Sequence, residues 1–248
     1  MNYFNASDMG AKVKSKHFLN KNIESLAHLL FPKKCLICAT ELNINENQIC
    51  QNCDSELPQM YLAEGETTNP VHKVFWGRVQ IENAHAWLLY NKELSTKEIL
   101  HAIKYKDKPQ LARAMGEKLG QSISEFEWIN TIDALIPVPI HPKKKFIRGY
   151  NQSEEIAKGM KGILKIPIDN YFLKRNLHTD SQTKKDRFGR WDNIEGAFRS
   201  EKNKNAYQHI AIVDDVITTG ATMERIIHQI QEKNPDLRIS VISLAFAQ

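Results

Sequence analysis

Two kinds of hydrophobic spacing alternate along the second half of the chain. Residues 132–140 form an apolar run that ends in Pro137-Val138-Pro139 and reads as a buried strand. A basic loop with His141, Lys143, Lys144, Lys145, Arg148 and Gly149 comes next. Ser153 is placed to cap a helix that carries Glu154, Glu155, Ile156, Ala157 and Met160. Residues 210–213 are a second short buried strand. A turn leads into a helix with Met223, Ile226, Ile227 and Ile230, and residues 239–246 close the pattern as another buried strand. Short apolar strands alternating with helices predict an α/β fold with a twisted, mainly parallel sheet flanked by helices. Ligands of such sheets lie beyond the carboxyl ends of the strands. Both the basic loop and the turn after Val213 fall there.

The first half is less regular. Ile23, Leu26, Leu29 and Leu30 have helical spacing before Pro32, whereas residues 1–20 have no period and are expected to fray. Residues 79–90 read as extended, around Ala84, Ala86, Leu88 and Tyr90. Ser95 or Thr96 opens a helix striped with Ile99, Leu100 and Ile103. Lys106-Asp107-Lys108-Pro109 interrupts it, and Leu111, Met115 and Leu119 resume the period. Pro58, Gly65, Thr67, Thr68, Asn69 and Pro70 give the composition of a linker. The organisation that follows is a lobe at 1–57, a linker at 58–78 and a main domain at 79–248.

Composition narrows the class. The chain has 248 residues, 42% hydrophobic and 25% charged, which is ordinary for a soluble globular protein. Its formal net charge of +5 permits a phosphate or nucleic-acid partner without requiring one. No apolar stretch approaches the ~18–20 residues of a membrane span. The start lacks the apolar core of a secretory signal, so a cytoplasmic protein is expected.

All four cysteines fall in one short segment, as C-x2-C-x11-C-x2-C: Cys35, Cys38, Cys50 and Cys53. Each C-x2-C turn can aim two thiolates at one point. Two such turns complete the tetrahedral shell of a structural Zn2+ site, with no open position for catalysis. Disulfides fit poorly in a reducing compartment. The expected role is to fold a small lobe with little core of its own.

The most informative stretch is Ile210-Ala211-Ile212-Val213-Asp214-Asp215-Val216-Ile217-Thr218-Thr219-Gly220-Ala221-Thr222. A buried strand delivers two adjacent carboxylates, and a small hydroxyl-rich turn leads into a helix. Gly220 lets the backbone bend tightly. Free amides at the helix start, with the Thr218, Thr219 and Thr222 hydroxyls, can wrap a phosphate. Carboxylates beside that phosphate suit vicinal hydroxyls, a metal, or both. The residues alone therefore suggest a sugar-phosphate site. His101, His141, His178 and His209 read as surface or loop residues, and Trp87 as core.

These thirteen residues closely resemble the 5-phosphoribosyl-1-pyrophosphate (PRPP) motif of type I phosphoribosyltransferases. The resemblance implies that Asp214 and Asp215 hold the ribose hydroxyls, and that Thr218, Thr219, Gly220, Ala221 and Thr222 hold the 5′-phosphate. It implies a pyrophosphate loop at Arg148, Gly149, Tyr150 and Asn151, with Mg2+ accompanying PRPP. Asp214, Asp215 and Arg148 would carry catalysis by positioning and charge stabilisation. Residues 173–198 take the place of a mobile hood, whose Lys184, Lys185, Arg187 and Arg190 would meet pyrophosphate or DNA. Thr218 stands where 6-oxopurine enzymes carry an Asp, which argues against hypoxanthine or guanine as acceptor.

A longer series is more specific. It runs from the cysteine knuckle through Ile103-Lys104-Tyr105, Pro137-Val138-Pro139 and Arg148-Gly149-Tyr150-Asn151-Gln152. It continues with Gln182, Arg187 and Arg190-Trp191-Asp192-Asn193 to Ala197-Phe198, and ends in the Asp-Asp-Val-Ile-Thr-Thr-Gly-Ala-Thr turn. In that order the pieces resemble the ComF (ComFC) family, phosphoribosyltransferase-like proteins associated with competence. The resemblance implies a role in DNA uptake during natural transformation, with PRPP, single-stranded DNA and other competence proteins as partners. Two alternatives stay open: a metabolic phosphoribosyltransferase with an unidentified acceptor, and a PRPP sensor without turnover. Lys104 and Tyr105 have two readings, one reaching pyrophosphate or a nucleic-acid strand and one closing a helix rim.

Overall fold

The computed structural model describes residues 32–62, 69–91, 93, 95–176 and 197–247. Its contacts divide the chain into two compact units, Met1–Leu57 and Pro58–Gln248. In the first, the described part is a small cysteine-bearing lobe. Lys34 and Glu41 form an isolated antiparallel bridge, and the one-turn helix α1 spans Gln51–Ser55. Cys35, Leu42, Cys50 and Cys53 form a buried cluster in it, with Ile37 and Ile49 packed against them.

The second unit is built on a four-stranded sheet. Its elements in chain order begin with α2 (Pro70–Lys73), β1 (Ala84–Tyr90), α3 (Ser95–Tyr105) and α4 (Pro109–Ile123). Next are β2 (Ala134–Pro137), α5 (Pro142–Arg148), α6 (Gln152–Leu164) and the short antiparallel pair β3 (Leu173–Arg175) and β4 (Phe198–Ser200). The chain ends with β5 (His209–Ile217), α7 (Ala221–Lys233) and β6 (Arg238–Ala247). The strand order is β1-β6-β5-β2, and every neighbouring pair is parallel. The expected parallel sheet flanked by helices is present.

Period-two alternation sorts the strand residues onto two buried faces. Ile210 and Ile212 of β5, Ile136 of β2 and Val241 of β6 join one core with Met223, Ile226, Ile227 and Ile230 of α7. Phe172, Leu173 and Phe198 extend that core to the β3–β4 pair. Helix α6 packs on β2 and β5 and against α4, which also reaches β1 and β6. Residues 58–78, read from composition as a linker, contain α2 and the fully buried Val71 and Phe75.

The strand expected at 132–140 is shorter. A 3-10 turn at Glu127–Thr131 precedes it, and the ladder stops at Pro137. Val138 still donates its N–H to the Val213 carbonyl (2.9 Å). Pro137 and Pro139 have no N–H to give, so pairing cannot continue. The next helix is also capped differently from expectation. Asn151 is the N-cap of α6 and accepts from the Ser153 N–H (3.2 Å), which frees the Ser153 hydroxyl for another partner. His209 is a buried strand residue, 1% exposed, and not a surface one as its type suggested. Its ring nitrogens lie 2.8 Å from the Thr131 and Ser240 hydroxyls. Burial, with the nearby Arg238 charge, lowers its pKa to about 4. Trp87 is core, as read.

Candidate functional site

Strand β5 outruns its neighbour. It pairs with β2 only as far as Val213, and with β6 on to Ile217. Asp214 and Asp215 therefore sit where one edge of β5 has lost its partner strand. They lie inside the strand, not past its end. The chain leaving β2 turns away into α5, and α6 returns from Asn151, so the start of α6 fills the gap.

That arrangement gives the two acids different surroundings. The Ser153 hydroxyl donates to Asp214 Oδ1 (2.8 Å), and the Asp215 N–H donates to the same oxygen (2.9 Å). Burial, reinforced by the Asp215 charge, still pushes the Asp214 carboxyl up to about 7. Asp215 is 4% exposed and is paired through Oδ2 with Lys104 Nζ at 2.9 Å. Lys104 lies in the last turn of α3, so a helix from the β1 side of the sheet delivers the counter-ion to the acidic pair. Neither reading of Lys104 from sequence foresaw this pairing. Only its position in the last turn of a helix hinted that it could reach beyond it.

Beyond Ile217 the chain bends through Thr218 and Thr219 to Gly220, which caps α7. Gly220 has φ +72°, in the left-handed region, and no side chain caps the helix. A Cβ there would lie 2.5 Å from Val74 Cγ1, so the turn is pressed onto the segment after α2. The first amides of a helix have no intrahelical acceptor. At α7 these are the N–H groups of Gly220, Ala221, Thr222 and Met223, and the helix dipole adds positive potential there. The turn is fastened from behind by Arg78, which sequence reasoning passed over.

The segment expected as a basic loop is the short helix α5 with its C-cap, and it forms the other wall. Gly149 has φ +79° and closes α5 as its C-cap. Arg148 stacks over the Tyr105 ring (5.4 Å to its centroid) and donates to Gln152 Oε1 (2.9 Å). The Tyr150 hydroxyl donates to the Ile103 carbonyl, and Asn151 Nδ2 donates to the Val138 carbonyl (3.0 Å). Burial above all raises Tyr150 to about 12, so it stays a neutral donor. Between α3 and α5 lies a cavity of about 460 Å3, lined in part by Lys104, Tyr105, Asp107, Lys144, Phe146 and Arg148. Two of the three expected regions, the acidic strand and the basic loop, thus meet through Lys104, Ser153 and Arg148. Lys184, Lys185, Arg187 and Arg190 lie outside the described residues.

In the first unit the four sulfurs of Cys35, Cys38, Cys50 and Cys53 all lie within 4.8 Å of one another. A tetrahedral ion with Zn–S bonds of about 2.3 Å needs sulfurs about 3.8 Å apart. Cys38 and Cys50 Sγ are at 3.6 Å. The Cys50 N–H donates to Cys35 Sγ (3.4 Å), and the Thr40 contacts hold the Cys38 thiol down to about 6. Three buried sulfurs and one at the surface form a closed donor set for a metal ion.

Comparison with known proteins supplies the context. No family model matches the chain. Competence protein F of Haemophilus influenzae is 26% identical over 212 residues, covering 79% of this chain and 90% of that protein. The DNA utilization protein YhgH of Salmonella typhi is 26% identical, covering 80% and 90%. Competence protein ComFC of Bacillus subtilis is 23% identical, covering 86% and 83%. Among the described residues no helix is long and apolar enough to cross a membrane. Relatives bearing these names in three bacteria align over most of their length, and the sequence carries the ordered motifs from the cysteine knuckle to the Thr/Gly turn. On both grounds the chain is similar to the ComF-type competence and DNA utilization proteins over most of their length.

Proposed function

We propose that this protein binds PRPP with Mg2+ at the carboxyl end of β5 and serves DNA uptake, with single-stranded DNA as its second partner. The observation that carries the reading is one local arrangement: two carboxylates where β5 has no β2 partner, followed by the Thr/Gly turn and a helix start without a side-chain cap. Asp214 and Asp215 accept hydrogen bonds from the ribose hydroxyls. The Thr218–Gly220 turn and the first amides of α7 hold the 5′-phosphate. Arg148, with Gly149, Tyr150 and Asn151, faces the pyrophosphate. The Asp214 and Asp215 carboxylates are hard oxygen donors that would suit Mg2+, which would supply charge neutralisation beside the phosphates. The four cysteines hold Zn2+ and fold the N-terminal lobe. The names of the relatives, competence and DNA utilization, support the DNA role.

A second reading is a phosphoribosyltransferase with a small acceptor. The cavity between α3 and α5 favours it, because it has room for a small molecule and shares Lys104 with the acidic pair. A labelled oligothymidylate, titrated over a salt series with and without PRPP and Mg2+, separates the two. The DNA reading predicts binding that weakens steeply with salt and an affinity that changes when PRPP is present. No oligonucleotide binding at low salt would leave the small-acceptor enzyme.

A further inference from the structure

We infer that Arg78 is a positioning residue for the phosphate turn, acting from behind it without touching ligand; this rests on the PRPP reading above. Arg78 is far from the turn in sequence but spans three features around it. Its Nη1 donates to the Thr219 carbonyl (2.7 Å) and to the Val74 carbonyl (3.0 Å). Its Nη2 pairs with Glu224, in the first turn of α7.

Each contact has a consequence for an anion at this helix start. Across a planar trans peptide the C=O and N–H point in opposite directions. Holding the Thr219 carbonyl toward Arg78 therefore turns the Gly220 N–H outward, away from the guanidinium. Glu224 lies one turn inside the helix end where a phosphate would bind, and its free charge would oppose that phosphate. The ion pair with Arg78 cancels it and leaves the helix dipole to act. The planar fork of arginine is suited to several directional bonds at once, which an ammonium group is not.

Arg78 itself stands on a fixed ledge. Val71 and Phe75 are fully buried in the core under α7. The Asn69 side chain caps α2 by accepting from the His72 N–H (2.8 Å), and donates to the Ala84 carbonyl of β1 (3.0 Å). The close approach of Gly220 to Val74 presses the turn onto the same ledge. The segment before β1 thus acts as a backing plate for the turn, with Arg78 as its clasp.

The test uses the full zinc-loaded chain and two probes, ribose 5-phosphate and inorganic pyrophosphate. Arg78→Ala is expected to weaken ribose 5-phosphate by about tenfold or more, the scale of a lost charge-assisted hydrogen bond. Pyrophosphate affinity should stay within about twofold, since the basic loop is not held by Arg78. Arg78→Lys keeps a charge beside Glu224 without the fork, and should recover part of the loss. Where Arg78→Ala fails to fold, Arg78→Lys carries the test with the same selectivity for the 5′-phosphate. Equal losses for both probes, or none, overturn the inference. A wild-type protein that binds neither probe instead overturns the phosphate reading, and Arg78 falls with it.

Discussion

Asp214 and Asp215 are neighbours of the same type, and their surroundings divide the work between them. Lys104 balances Asp215, while Asp214 has a hydroxyl, a backbone amide and a carboxyl raised to about 7. The raised value has a defined sign. The unfolded chain releases this proton near the ordinary 3.8, and the folded chain holds it until about 7. Asp214 therefore contributes stability fully below the lower value, and that contribution is lost as pH rises through the window between them. Urea midpoints should fall across pH 4 to 7 by more in the wild type than in Asp214→Asn; equal slopes would contradict the assigned surroundings. Sequence made the acid pair legible, because two carboxylates closing an apolar strand are conspicuous. It hid Lys104, Ser153 and Arg78, whose roles depend on which helix end meets which strand edge. His209 was misread for a similar reason: only burial between Thr131 and Ser240 reveals its partners.

Helix α6 links the fold to the site, since its first turn meets the acids and its body packs on α4. That packing is close. A Cβ on Gly159 would lie 2.0 Å from the Arg113 carbonyl oxygen, and one on Gly116 would lie 2.1 Å from that of Ile156. Gly159→Ala forces the two backbones apart and should cost about 1–3 kcal/mol or more, by analogy with overpacked cores. It should also displace Ser153 and weaken PRPP binding. Chemical denaturation with a parallel PRPP titration checks both, and an unchanged stability would show that the helices do not cross this closely. The helices themselves were legible, because apolar residues at helical spacing mark α3, α4, α6 and α7. Their crossing was not, because a glycine in a helix looks the same whether it faces water or another backbone. The short β2 was written in Pro137 and Pro139, but the apolar run around them outweighed that signal.

At the scale of the molecule, the two units stand on different physics. The sheet unit buries a core of ordinary size, whereas the described cysteine lobe encloses only a few apolar side chains around its sulfurs. A lobe of that kind can be folded by a metal ion held at its four thiolates. With zinc at the four thiolates as proposed, Cys50→Ser should release it and expose residues 32–57 to protease, while PRPP affinity stays within about twofold. Retained metal, or a collapse of PRPP binding, would contradict this division. The lobe and the parallel sheet were legible in the sequence because thiol spacing and alternating periods are local properties. The strand order that puts β5 beside a shorter β2 was not, since it arises from pairing between distant segments. The unpaired edge of β5 and the turn after it are the proposed PRPP site. Calorimetric titration of PRPP with Mg2+ into the zinc-loaded wild type and the Asp214→Ala, Asp215→Ala double variant tests it most directly. A PRPP site at these residues gives saturable binding by the wild type and its loss in the double variant. No binding by the wild type, or equal affinity in both proteins, would contradict it.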